Sequence, residues 1–188
     1  VGGQTRHIGV VKLPAFYMDF AAADAGKKDY RSMTRDVREL IKQFQREGID
    51  GLVIDLRGNG GGSLREATEL TGLFVHSGPV VQVRRHDGAV EVIQERNRGI
   101  AYSGPLVVLV DQFSASASEI FAAAIQDYGR GVVVGQKTFG KGTVQTLIDL
   151  DRGLRKQDTG GRLKLTIAKF YRINGHSTQQ RGVEPDIV

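Results

Sequence analysis

The sequence predicts an α/β fold: a mostly parallel sheet with flanking helices and a β-rich C-terminal part. Three observations predict it. The short apolar runs Leu52-Val-Ile54, Leu106-Val-Val-Leu-Val110 and Val132-Val-Val134 read as buried strands. Between them lie segments whose apolar residues recur at helical spacing. This alternation of strand and helix through the middle of the chain is the pattern of parallel βαβ steps.

Taken in order, Ile8 to Leu13 reads as a first strand, stopped by Pro14. Ala15 to Lys28 is mixed in pattern and is expected to be a loop. Ser32 or Thr34 caps a helix to about Arg46, with Val37, Leu40, Ile41 and Phe44 as its apolar stripe and Gly48 as its stop. The strand Gly51 to Leu56 runs into the glycine turn Arg57-Gly-Asn-Gly-Gly-Gly62. Ser63 and Glu66 then form a capping box opening a helix to about Val75. Val80–Arg85 and Ala89–Gln94 flank Asp87-Gly88, a strong hairpin signal. The 106–110 strand leads into Ser114-Ala-Ser-Ala-Ser118. Ile120, Phe121, Ala124, Ile125 and Tyr128 share one face of the helix that follows. Thr143–Leu150 and Leu163–Tyr171 alternate as strands, with a polar loop between them tipped by Asp158-Thr-Gly-Gly161.

Composition narrows the function classes. The chain has 188 residues, 40% of them hydrophobic and 25% charged, which is a globular balance sufficient for one domain with a core. The net charge of +5 comes from scattered residues, and no basic block resembles a nucleic-acid footprint. With no cysteine there is no disulfide framework, thiol nucleophile or Cys-based metal site. His7, His76, His86 and His176 form no metal motif and offer no triad, so no metal or cofactor is expected. No apolar run reaches the ~20 residues of a membrane span, and no signal peptide is visible. The chain opens inside a strand approach and is expected to be a piece of a longer protein.

Three stretches carry chemistry. The serine run sits on a strand-to-helix turn, where unpaired backbone N–H groups point outward. A serine there can attack a carbonyl whose oxygen those N–H groups then hold. Ser116 with Glu119 equally fits a capping box, and spacing does not choose among Ser114, Ser116 and Ser118. Gly135-Gln-Lys-Thr-Phe-Gly140-Lys141 nearly matches a phosphate-binding loop. However, Gly142 replaces the Mg²⁺-binding hydroxyl, and a strand pattern replaces the required helix. A nucleotide-binding α/β module is the rival this leaves. If a strand starts at Gly142, Lys141, Thr143 and Gln145 share one side, placing an amine beside an amide that can orient it. The glycine turn at 57–62 exposes N–H groups suited to an oxyanion. Asp127, near the C-terminus of its helix, is poorly placed for the helix dipole, and Arg130 is its expected partner.

Four motifs, Asp55-Leu-Arg-Gly-Asn-Gly-Gly-Gly62, Ser114-Ala-Ser-Ala-Ser-Glu-Ile120, Thr138-Phe-Gly-Lys-Gly-Thr-Val-Gln145 and Gly182-Val-Glu-Pro-Asp186, together resemble the C-terminal processing peptidases, most closely their tail-specific branch. The resemblance spans nearly the whole chain and implies a ClpP/crotonase-like core. It also implies a serine endopeptidase with a Ser-Lys dyad: Ser116 as nucleophile, Lys141 as general base and Gln145 orienting the amine. Gly61 or Gly62 together with Ala117 would form the oxyanion hole, and Asp127 would serve structure more than chemistry. The substrates it implies are proteins with apolar C-termini, recognised by a PDZ domain elsewhere in the same protein. An adaptor lipoprotein partner and a periplasmic or inner-membrane-associated location follow from the same resemblance.

A lysine base must be neutral, whereas an unperturbed lysine titrates near ~10.4, so the amine must be packed down. The loop from Gly135 to Gly142 is rich in glycine and lysine and costly to order, and the sequence identifies no element that holds it. In the core alone, the Lys141 amine is therefore expected beyond hydrogen-bond reach of the Ser116 hydroxyl, about 3.2 Å. A catalytically unformed core is the corresponding alternative.

Overall fold

The computed structural model describes residues 3, 5–96, 99–150 and 161–188. Its elements in chain order are β1 (Ile8–Lys12), α1 (Phe20–Asp24), α2 (Met33–Glu47), β2 (Gly51–Asp55), α3 (Leu64–Thr71) and β3 (Gly78–Arg85). There follow β4 (Val90–Glu95), β5 (Leu106–Val110), α4 (Ala117–Asp127), β6 (Val132–Gly135), β7 (Thr143–Asp149) and β8 (Arg162–Tyr171). One sheet, ordered β1-β2-β5-β6, is parallel throughout. The second, ordered β4-β3-β8-β7, is antiparallel. The 80–94 hairpin thus joins the C-terminal strands rather than the parallel sheet. The polar stretch expected between β7 and β8 lies, except for its ends, outside the described residues.

Helix α4 touches both β6 and β3, which places it between the two sheets. That position explains why every residue from Ala117 to Ile125 is buried. Phe121 meets Phe74 edge-on with ring centroids 5.9 Å apart. Val11, Ile54, Val108 and Val133 supply the core from the parallel sheet, and Val81 and Phe170 from the antiparallel one. The opposite face of the parallel sheet is only partly covered. Ile8 and Val10 are exposed, and Val107 and Leu109 half-buried, so the apolar runs mark one fully buried face rather than two.

Three local expectations change. The segment expected to be loop contains α1, because the Asp19 carboxylate accepts from Ala22 N–H and so caps an alanine run. Helix α3 stops at Thr71, and Leu73, Phe74 and Val75 enter the core from tight turns instead. Its capping box stays half-made. Ser63 Oγ accepts from Glu66 N–H, but the Glu66 carboxylate accepts from Thr34 N–H at 2.7 Å, tying α3 to the first turn of α2.

Candidate active site

The site is built where the ends of β2, β5 and β6 meet the N-terminus of α4. Three serines cap helices in this chain, and one differs from the others. Ser32 (φ −142°, ψ 126°) and Ser63 (φ −67°, ψ 125°) are ordinary extended N-caps. Ser116 has φ 59° and ψ −112°, a conformation that L-residues rarely adopt and that costs on the order of 1–3 kcal/mol. Its N–H donates to Glu119 Oε2 at 2.8 Å, the glutamate half of the expected capping box.

The structure also separates the serines that spacing left equivalent. Ser114 and Ser118 are fully buried, and their hydroxyls donate to backbone carbonyls, Ser114 to Leu56 O and Ser118 to Asn59 O, each at 2.9 Å. They fasten the serine turn to the glycine turn. Ser116 is half-buried and lines a cavity of about 400 Å³ together with Gly62, Ala117, Lys141 and Gln145.

The glycine turn is held by Asn59, which is completely buried. Its Nδ2 donates to Leu13 O at 2.8 Å, and its Oδ1 accepts from Gly61 N–H at 2.9 Å. The Gly61 N–H is thereby occupied, which leaves Gly62 as the glycine donor in the expected pair. Among the described residues, neither Gly62 N–H nor Ala117 N–H has an acceptor. Gly61 (φ +102°) matters through its missing side chain. A Cβ there would lie 2.7 Å from Ala115 O, 2.8 Å from Ser116 Cβ and 3.0 Å from Ala117 N, in the space an oxyanion needs. Gly61→Ala should therefore lower kcat about 100-fold or more, the scale of losing one oxyanion donor. Gly60→Ala, where a Cβ meets nothing within 4 Å, is the control and should stay near wild type. Equal activities in steady-state assays would refute this role.

At the entrance to the turn, Arg57 grips Asp55 through Nε at 2.9 Å and Nη2 at 2.8 Å. These hydrogen bonds hold the Asp55 carboxyl below the usual carboxylate range. Asp111 accepts from Gly58, Phe113 and Ser114 N–H, linking the glycine and serine turns a second time.

The loop carrying Lys141 corrects the sequence expectation most. It is held, and by this chain's own residues. Glu119 is fully buried in α4, and its Oε1 accepts from Thr138 Oγ1 and Gly140 N–H, both at 2.7 Å. Its Oε2 accepts from Lys141 N–H at 2.9 Å as well as from Ser116 N–H. The C-terminal motif closes the loop from the other side. Thr138 N–H donates to Val183 O, and Val183 N–H to Thr138 Oγ1. Gly182 (φ +66°) packs where a Cβ would come within 2.6 Å of Thr138 O. Gln179 Oε1 accepts from Gly142 N–H at 2.7 Å. These partners are remote in sequence, so local composition could not reveal them. Among the described residues, no hydrogen bond joins the Lys141 amine to the Ser116 hydroxyl. Gln145 is exposed at the cavity, next to a register shift in the β7–β8 pairing.

One further expectation is corrected. Asp127 pairs with Arg172, which reaches it through both Nε and Nη2, and Asn174 adds a third donor. Arg130 turns back instead to the carbonyls of Phe74, Tyr102 and Gly104, so Asp127 anchors the end of β8. The residues after Gly142 form β7, the strand their pattern predicts, so the 135–141 stretch lacks the helix N-terminus a phosphate loop requires.

Sequence reasoning missed Asn59, Asp111 and Glu119 as site-building residues. Glu119 was visible only as a capping glutamate. Asn59 and Asp111 show themselves only by their positions beside tight turns, where such side chains commonly bond the backbone.

Residues 7–188 match peptidase family S41. The chain is 45% identical over 188 residues to the tail-specific protease of Haemophilus influenzae, covering 97% of this chain and 24% of that protein. It is 35% identical to the carboxy-terminal processing protease CtpA of Bacillus subtilis, covering 81% of this chain and 31% of the relative. Among solved structures, the photosystem II D1 C-terminal processing protease superposes with a TM-score of 0.77 at 30% identity, covering 96% of this chain and 42% of that one. The chain thus spans less than half the length of each of these relatives.

Proposed function

Because the chain belongs to peptidase family S41, we propose that it is the catalytic core of a serine endopeptidase working with a Ser-Lys dyad. The observation that carries this reading is the Ser116 hydroxyl. Of the three clustered serines it alone opens to a cavity, which it shares with Lys141 and with the unoccupied N–H of Ala117. In the reaction, Ser116 Oγ attacks the scissile carbonyl while the neutral Lys141 amine takes the hydroxyl proton. The carbonyl oxygen becomes an oxyanion held by the N–H groups of Gly62 and Ala117. Collapse breaks the C–N bond, and Lys141 returns the proton to the departing amine. Water then attacks the acyl-enzyme with Lys141 again as base. Gln145 orients the lysine amine, and Asp127 supports the scaffold. The tail-specific protease of H. influenzae supports the wider reading. On that reading this chain's substrates are proteins with apolar C-terminal tails, captured by a PDZ domain of the longer protein on the periplasmic side of the inner membrane, with an adaptor lipoprotein as partner.

The test is covalent labelling with a fluorophosphonate serine probe, followed by peptide mapping. Label at Ser116 in the wild type, lost in Lys141→Ala, is expected. Label at Ser114 or Ser118, or undiminished labelling of Lys141→Ala, contradicts the dyad. The lack of a Ser116–Lys141 hydrogen bond favours a second reading, in which the core alone leaves its dyad open. That reading expects the probe to label the longer protein but not residues 1–188 alone.

A further inference from the structure

Five consecutive residues of β7, Thr143 to Leu147, line the cavity that holds Ser116. Successive side chains of a strand point to opposite faces, so a cavity that meets every residue in a run lies against the strand's edge. Among the described residues β7 is the terminal strand of its sheet, and β8 covers only its other edge. An extended polypeptide can therefore lie along the free edge with its backbone hydrogen-bonded there, the mode by which many peptides join a sheet. The Gly62–Leu64 segment, Ile120 and Phe170 also line the space.

The charges along this groove are lopsided. Among the described residues, Lys141 and Lys164 line it and no carboxylate does. Lys141 stands at the reacting end, so among the described residues Lys164 is the cation that the groove presents to substrate away from it. Lys164 is exposed on β8 directly opposite Leu147, and among the described residues it forms no ion pair. Thr143 and Leu147 are four residues apart, about 13 Å along the strand. A peptide with its scissile bond at Ser116 thus passes Lys164 roughly four residues from that bond.

Resting on the peptidase reading above, we propose that Lys164 is a specificity-determining residue. It selects substrates carrying an acidic side chain three to five positions from the cleaved bond, with the substrate lying as an added strand on β7.

The experiment uses the protein at its native length and a set of peptides with Glu or Lys placed in turn at each position flanking one cleavage site. Wild type should prefer Glu over Lys about fivefold in kcat/KM at one position three to five residues away, the scale of a partly exposed ion pair. The preference should weaken as salt is raised. It should vanish in Lys164→Ala and invert in Lys164→Glu. A flat profile in wild type, or a preference that survives in Lys164→Glu, overturns the proposal. If such a flat profile accompanies cleavage that Ser116→Ala abolishes, the peptidase reading stands and only the role of Lys164 falls. If no peptide is cleaved, both fall together.

Discussion

Ser116→Ala should reduce peptide-bond cleavage by about 10⁴-fold or more, the scale seen when a serine nucleophile is removed. The fold should barely notice. The Ser116 N–H donates to the Glu119 carboxylate, and alanine retains that N–H. The strained backbone at φ 59° is borne equally by either residue, and any loss of capping costs at most about 2 kcal/mol. Cleavage of a reporter peptide and thermal melting, measured on the same preparations, check both halves. Ser118→Ala is the informative companion, because its hydroxyl bonds Asn59 O. It should lower the melting temperature while leaving measurable cleavage. Activity retained in Ser116→Ala and lost in a folded Ser118→Ala would reverse the assignment.

Glu119→Ala should be the most damaging single change outside the proposed dyad. It leaves the N–H groups of Ser116, Gly140 and Lys141 and the hydroxyl of Thr138 without their acceptor in a buried or half-buried setting. Each stranded donor costs about 1–3 kcal/mol, and relaxation recovers part of the sum, so a net loss of about 3 kcal/mol or more is expected. For a chain of this size that lowers the melting temperature by roughly 6–12 °C. Cleavage should be lost even at temperatures where the variant remains folded, because both working residues lose their backbone tether. Glu119→Gln should rescue only part of this, since its amide NH₂ would face N–H donors. Calorimetry and activity assays at low temperature are the measurements. A Glu119→Ala variant with native melting and native rates would show that the carboxylate is dispensable.

The fold was legible where one residue's neighbours in sequence decide its place. The stripe containing Val37 and Ile41 announces α2, and Asp87-Gly88 announces the β3–β4 turn. The sequence could not show which sheet that hairpin joins, because pairing with β8 depends on residues far along the chain. Helix α1 escaped notice because its one firm signal is a single capping aspartate before an alanine run. The site followed the same division. Strand-turn-helix placement of the serines and glycines could be read directly. The choice of Ser116 over its neighbours came from the family resemblance; in the structure the hydroxyls of Ser114 and Ser118 are engaged with backbone carbonyls. The 135–142 loop appeared costly to order because its own composition is unfavourable. Its order comes from Glu119, Val183 and Gln179, none of which lies within it.

The shared carboxylate has a consequence for how such a site can change over generations. Glu119 serves the backbone of Ser116 with the same oxygen that serves Lys141. In the proposed reaction, nucleophile and base are therefore not two inventions that can drift apart and be refitted separately. A mutation that relaxes the loop also releases the strained turn at Ser116, and a graft of either segment into another scaffold arrives without its counterpart. Variation is free at the rim of the groove, where side chains meet substrate. It is closed at the joint beneath, which must be inherited whole.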